Sequence, residues 1–351
     1  MEAPMRNPIA FPQRIGPESG LSLVGILISL ALAGVVLALG AEFFESAQQT
    51  QGTEQAVLSL EREAARIHNL LATQIADAGF GFPESCAQNG AVLANWPASS
   101  GLSDNNIWYP VAGTSSGGLS FLESEKSLGD VAVTTITDMP SLQSDSFRVV
   151  NTQNLFTGNG LAVEVPVTAC FASVIHSSST SSNREVTYIK YNGTSFGTLA
   201  QNAGVPLSAS QMTHARVYDL GQISAYDLIL NGTDLQETLS SQATNWQPQT
   251  VTLSRRVLAW SVQVGTGNPL QWESAAQWAS QEANGNGQPI LAVQIGMVLA
   301  SNNAYSNAQT PTQVALMGHT VALPSGWQGH LIKTFVWSFA VRNAIWESGN
   351  G

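Results

Sequence analysis

The chain has 351 residues, which suggests two domains or one domain with a long appendage, and its 44% hydrophobic content is enough for a sizeable core and excludes wholesale disorder. With 13 Lys+Arg against 24 Asp+Glu and a net charge of −11, it is a poor partner for nucleic acid phosphates or an anionic lipid surface. Charged residues make up only 11%, less than half the roughly 25% of ordinary domains, which suits an exported protein rich in strands and loops.

The first predicted element lies near the N-terminus. Residues Ser19 to Ala41 carry no charge and are flanked by Glu18 and Glu42, a run long enough to cross a bilayer as a helix, which needs about 20 apolar residues. A cleavable secretory signal is the competing reading, since Ala38-Leu39-Gly40 offers a small-x-small site. The run exceeds the usual ~7–15 residue signal core, however, and the leader sets only Arg6 and Arg14 against Glu2 and Glu18.

Helical periodicity continues past this run. Phe43, Phe44, Val57, Leu60, Ala64, Ile67, Leu71, Ile75 and Ala78 recur mostly at three- and four-residue steps, with Glu54, Glu61, Arg62, Glu63, Arg66 and Asp77 largely between them. No proline interrupts residues 21 to 82, and Gly79-Phe80-Gly81-Phe82-Pro83 supplies a glycine stop followed by a proline block. One helix over 21–78 would be about 87 Å long. His68, beside Ile67, is expected to face solvent.

Downstream the pattern is that of antiparallel strands. Weak strand signals lie at Val131 to Ile136, Phe147 to Val150 and Leu161 to Val167. Val186 to Tyr191 runs into Asn192-Gly193, and Tyr226, Leu228 and Leu230 run into Asn231-Gly232, both hairpin signals. Clean alternation marks Leu258 to Val264, Leu291 to Leu299 and Phe335 to Val341. Gln271 to Ala283, with Trp272, Ala275, Ala276 and Ala279, predicts a short helix. Nothing repeats at a fixed period, so a solenoid or propeller is not expected.

Catalytic chemistry is hard to find. Gly113-Thr114-Ser115-Ser116-Gly117 matches the letters of a hydrolase elbow, but that motif needs a helix after it, and a strand-like Leu119-Ser120-Phe121 follows instead. His68, His176, His214, His319 and His330 have no metal-ligand spacing, and Asp104-Asn105-Asn106 lacks the alternate oxygens and distal glutamate of a calcium loop. No catalytic, metal or cofactor-binding residue is assigned. Trp260 and Trp337 are expected in the core; Trp96, Trp108, Trp246 and Trp327 are read as loop residues. Cys86 and Cys170 are too few for a disulfide scaffold or a four-cysteine zinc site but can make one bridge, 84 residues apart.

Gly20-Leu21-Ser22-Leu23-Val24 resembles the processing site of a type IV prepilin, a leader ending in glycine before an uncharged helix. Glu61-Arg62-Glu63-Ala64-Ala65-Arg66 leading to Ala78-Gly79-Phe80 resembles the helix exit of minor pilins of the PilW type. Val257 to Val264, Ile290 to Ser301 and Lys333 to Asn343 resemble that family's last strands. The resemblance implies cleavage between Gly20 and Leu21 by a prepilin peptidase and N-methylation of Leu21. The family usually has glutamate as the fifth residue of the mature chain, and Gly25 stands there instead.

The expected fold is α+β, type IV pilin-like: a leader over 1–20, an N-terminal helix over 21–79 with its transmembrane segment at 21–41, and a β-rich head over 80–351. The expected role is that of a non-enzymatic minor pilin of a type IV pilus, at or near the filament tip, anchored in the bacterial inner membrane before assembly and on the surface afterwards. Its partners would be other minor and major pilins, with no nucleic acid and no cofactor. The alternatives are a tip pseudopilin of a type II secretion system, which shares every helix feature, and a membrane-anchored adhesin that would hold a ligand with loops such as 96–120.

Overall fold

The computed structural model describes residues 23–79, 82–83, 92–94, 107–125, 132–166, 168–179, 183–242, 246–283, 287–305 and 308–341. One helix, α1, spans Leu23–Asp77 without a break. Contacts divide the chain within it: residues up to Gln55 form one unit, and those from Ala56 onward form the other.

In the first unit α1 buries almost nothing. Leu23, Leu30 and Leu37 are 76%, 69% and 73% exposed, and the neighbouring rings of Phe43 and Phe44 are equally bare. In the second unit the helix is amphipathic as its spacing predicts. Leu60, Ala64, Ile67, Leu71, Ile75 and Ala78 are buried on one stripe. Gly79, at φ +72°, ends the helix as a left-handed cap, and its N–H donates to Leu122 O at 2.7 Å.

Among the described residues the head has three sheets and a hairpin. A five-stranded sheet runs in the order β13 (Gln249–Ser254), β12 (Asp234–Ser241), β11 (Ile223–Asn231), β4 (Leu119–Ser124) and β3 (Val111–Gly113). A four-stranded sheet has the order β15 (Gln271–Ser274), β14 (Val257–Thr266), β16 (Ile290–Ala304) and β19 (His330–Ala340). Both present an alternating apolar face to α1: Phe121, Leu228 and Leu235 from the first, and Val262, Val264, Val293, Ile295, Met297 and Phe339 from the second. Hairpin β17 (Gln313–Leu316) and β18 (His319–Ala322) covers part of the other face of the four-stranded sheet, with Leu316 against Val298 and Ala300.

The third sheet has eight strands, ordered β2 (Ile107–Trp108), β1 (Val92–Ala94), β8 (Ala169–Ser178), β7 (Gly160–Val165), β10 (Arg216–Gly221), β5 (Ala132–Asp138), β6 (Ser146–Val149) and β9 (Glu185–Tyr188). Every ladder is antiparallel except that of β1 with β8. The first half of β8 pairs with β7 and β1, while its second half pairs with β9, so β8, β7, β10, β5, β6 and β9 form a closed ring. Closure removes the edges those strands would otherwise expose. Inside it pack Phe147, Leu161, Val163, Phe171, Ile175 and Val217, together with Phe196 and Leu199 of α2 (Phe196–Asn202). A short α3 (Ala209–Met212) follows, started by a Ser208/Gln211 capping box. The outer face of the ring meets the five-stranded sheet through Ala162, Ala172, Leu220, Ile223 and Ala225.

The fold is therefore α+β, a long N-terminal helix with an antiparallel β-rich head, as expected. Two local expectations are corrected. The segment predicted as a helix over 271–283 is β15 followed by α4 (Ala275–Ala283), because Ser274 and Gln277 form a reciprocal cap that starts the helix at 275. Asn192-Gly193 is not a hairpin; residues 191–193 make a 3-10 turn that leads to Ser195, the N-cap of α2. Trp246, read as a loop residue, does lie in a turn, and it is fully buried between the ring and the five-stranded sheet.

Candidate functional site

The candidate site is α1, whose stretches in the two units differ in character. Over 23–41 the helix has no charged side chain, and it is long and apolar enough to cross a membrane. Gly25 sits in this stretch with open space where a Cβ would project, and Ser29 Oγ donates back to its carbonyl at 2.8 Å. A partner backbone could approach closely there.

From Ala56 onward the buried stripe is flanked by polar contacts that place the helix on the head. Glu63 pairs with Arg256, which lies between β13 and β14, and Ser254 Oγ donates to the same carboxylate. The Arg66 guanidinium donates to Leu253 O. Lys333 of β19 meets Glu61 at 2.5 Å, and Gln74 Nε2 donates to Glu237 of β12 at 2.9 Å. Burying Leu60, Ile67, Leu71 and Ile75 supplies on the order of 8 kcal/mol as an upper figure. A half-exposed pair such as Glu61–Lys333 adds about 0–1 kcal/mol. The apolar stripe holds the helix, and the polar contacts choose where along the sheets it lies.

The C-terminal end of α1 is acidic. Burial raises the Glu123 carboxyl, and the charges of Asp77 and Glu237 raise it further, while the Tyr226 hydroxyl donates to it. Burial, then the Glu123 charge, pushes Tyr226 up to about 12. Among the described residues no group of three His, Cys, Asp or Glu could hold a metal ion.

Of the residues singled out from sequence, Gly20, Leu21, Cys86, Trp96 and Asp104-Asn105-Asn106 lie outside the described residues. Cys170 is buried on β8, and there is no free cysteine among the described residues. The hydrolase-like run is the tight turn joining β3 to β4, closed by Gly118 N–H to Thr114 Oγ1 at 2.8 Å. A strand follows it, so the Ser115 and Ser116 hydroxyls have no elbow geometry. The histidines are scattered. His330 hydrogen-bonds Ser301 O at 2.7 Å beside Trp327, and His176 and His319 are exposed.

His68 corrects an expectation. It is half-buried rather than fully turned to solvent; its ring lies 5.5 Å from Trp337 and 5.4 Å from Phe339, in the angle between α1 and β19. The residues that sequence reading passed over are Arg256, Glu237 and Lys333. Their only sequence signal is that α1 carries Glu61, Glu63, Arg66 and Gln74 beside its apolar stripe, which calls for partners without naming them.

No protein-family model matches the chain, and no curated protein matches it. Among solved structures, a type IV-like pilin from Thermus thermophilus is similar at 13% identity, over 54% of this chain and 86% of that one, with a TM-score of 0.26. A likeness of that size carries no inference about activity.

Proposed function

We propose that the protein is a non-enzymatic minor pilin, a subunit that enters a type IV pilus through its N-terminal helix. The observation that carries this reading is the uncharged, exposed stretch at 23–41, in the same unbroken helix whose later turns are fastened to a β-rich head. Such a segment is stable in lipid, and equally stable against other helices of its own kind. The PilW type rests on the sequence resemblance. The head would lie in the periplasm before assembly and on the surface after it.

The first test is the mature N-terminus. Intact mass and N-terminal sequencing of purified protein should begin at Leu21, methylated on its amine. A start at Ala41 would mean signal peptidase cleavage and would end the pilin reading.

Gly25 suggests where in the filament the subunit sits. In the resembled family a glutamate at this position neutralises the N-terminal amine of the subunit ahead. An uncompensated charge in an apolar filament is costly, and a subunit with nothing ahead can omit the carboxylate. Immunogold labelling should then mark one end of the filament with few copies. Uniform labelling along the shaft would refute the tip placement.

A further inference from the structure

The last turns of α1 lie among carboxylates. On the face of the five-stranded sheet that meets the helix, β4 carries Phe121 and Glu123, β11 carries Tyr226 and Leu228, and β12 carries Leu235 and Glu237. The helix brings Gln74 and Asp77 to them, and Gly79 N–H fastens its end to Leu122 O, next to Glu123. The titratable groups that act on Glu123 are Asp77 of α1, Tyr226 of β11 and Glu237 of β12. Asp227 is on the opposite face of β11, and Glu125 stands exposed past the end of β4, where it accepts from Gln222 N–H at 3.4 Å. Strands β3 and β13 are uncharged. The nearest cations on α1 and β14 are engaged elsewhere, Arg66 with Leu253 O and Arg256 with Glu63. The last turn of α1 has no basic residue, so its free carbonyls add to the negative potential.

Gln74 shows what this cluster lacks. It is 8% exposed; its Nε2 donates to Glu237 at 2.9 Å, and its Oε1 is enclosed with no hydrogen-bond partner. An enclosed amide oxygen without a donor is costly, and ionised carboxylates have no donor to give. The carboxylates are not grouped so as to hold a metal ion. A proton fits: it removes one charge from the cluster and turns a carboxylate into a donor.

We propose that Asp77, Glu123, Glu237 and Gln74 form a proton-operated latch, which fastens the last turn of α1 to the five-stranded sheet when the cluster holds a proton and loosens that turn when it does not. Burial raises the Glu123 carboxyl above its ordinary 4.5; the Tyr226 hydrogen bond opposes this, and the charges of Asp77 and Glu237 add to it. The closed latch therefore binds the proton more tightly than the open one. Its contribution is complete below about pH 4.5 and is lost as pH rises through the raised value. The Gly79–Leu122 hydrogen bond lies beside Glu123 and should be among the first to open.

The test is hydrogen–deuterium exchange on the full chain in detergent, read as protection factors, which remove the pH dependence of the intrinsic exchange rate. Relative to residues 60–67 of the same helix, protection over residues 74–79 should fall about tenfold or more between about pH 4.5 and about pH 8. Glu123→Gln keeps the side chain neutral, so its protection at pH 8 should match that of the parent in acid. No fall, a fall shared equally by residues 60–67, or an unchanged fall in Glu123→Gln would each overturn the proposal. Asp77→Asn reads the same cluster should Glu123→Gln fail to fold. It should make the fall smaller, and an unchanged fall would again overturn the latch.

Discussion

Glu63 of α1 and Arg256, which stand 193 positions apart in the chain, form an ion pair whose side chains are only 13% and 16% exposed. Burial holds the Arg256 guanidinium below its ordinary range, so it enters the pair at a cost that Glu63 and Ser254 offset. Removing one partner leaves the other charge buried alone. Glu63→Ala should lower the unfolding free energy by about 3 kcal/mol. Glu63→Ala with Arg256→Met should recover more than half of that. Urea titration of the four members of this cycle measures it, and additive losses would show that the pair does not act as a unit.

Two glycines of the same φ sign should respond very differently to alanine. At Gly79 (φ +72°) a Cβ would lie 2.5 Å from Pro110 Cβ, whereas at Gly232 (φ +64°) it meets open space. Both substitutions force an L-residue into the left-handed region, for about 1 kcal/mol. Gly79→Ala must in addition displace a proline that packs on the helix end, and about 2–3 kcal/mol in all is expected. Thermal unfolding of the two variants tests the difference; equal shifts would mean that Pro110 yields freely.

Asp227 lies on β11 between Ser120 and Thr238, and burial pushes its carboxyl up to about 6. The ordinary value is 3.8, so the folded state holds this proton more tightly than the unfolded one. The contribution is fully present below about pH 3.8 and is lost as pH rises through about 6. Asp227→Asn should therefore be more stable than the parent at pH 8, by about 2 kcal/mol after discounting the part of the side chain that water reaches. The gap should close toward pH 4. A pH series of melting curves for both proteins decides it, and a gap independent of pH would remove the carboxyl as its cause.

Cys170, buried on β8 against Ala172 and Leu220, is proposed to bond Cys86. The intervening loop is long, and the chain-entropy treatment gives roughly 4–5 kcal/mol as an upper figure for closing it. Alkylation of the protein purified from its native cells under denaturing, non-reducing conditions should modify neither cysteine. Modification of both would sink the bridge.

Much of the architecture was written in local periodicity. The three- and four-residue steps from Leu60 to Ala78 appear as the buried stripe of α1, and Gly79 ends the helix, because helix pitch and a left-handed cap depend only on near neighbours. The alternations at Leu258, Leu291 and Phe335 became β14, β16 and β19 for the same reason. Cap chemistry was equally local, and attention to Ser274 and Gln277 would have started α4 at the right residue.

Pairing over long distances was not written there. Alternation tells a strand which face is buried but not which strand lies beside it, so nothing in the sequence of β8 announced that its two halves would take different neighbours and close a ring. The packing of His68 and the burial of Trp246 could not be read locally, for a related reason. Each is a polar-tipped ring in a locally ambiguous position, and its burial depends on what the rest of the chain brings to it: Trp337 and Phe339 to His68, and the gap between two sheets to Trp246. An apolar stripe is encoded by neighbours three and four residues apart and can be read from sequence. A charge pair such as Glu63–Arg256 is decided only when tertiary packing removes water from both partners, and only the folded chain brings them together.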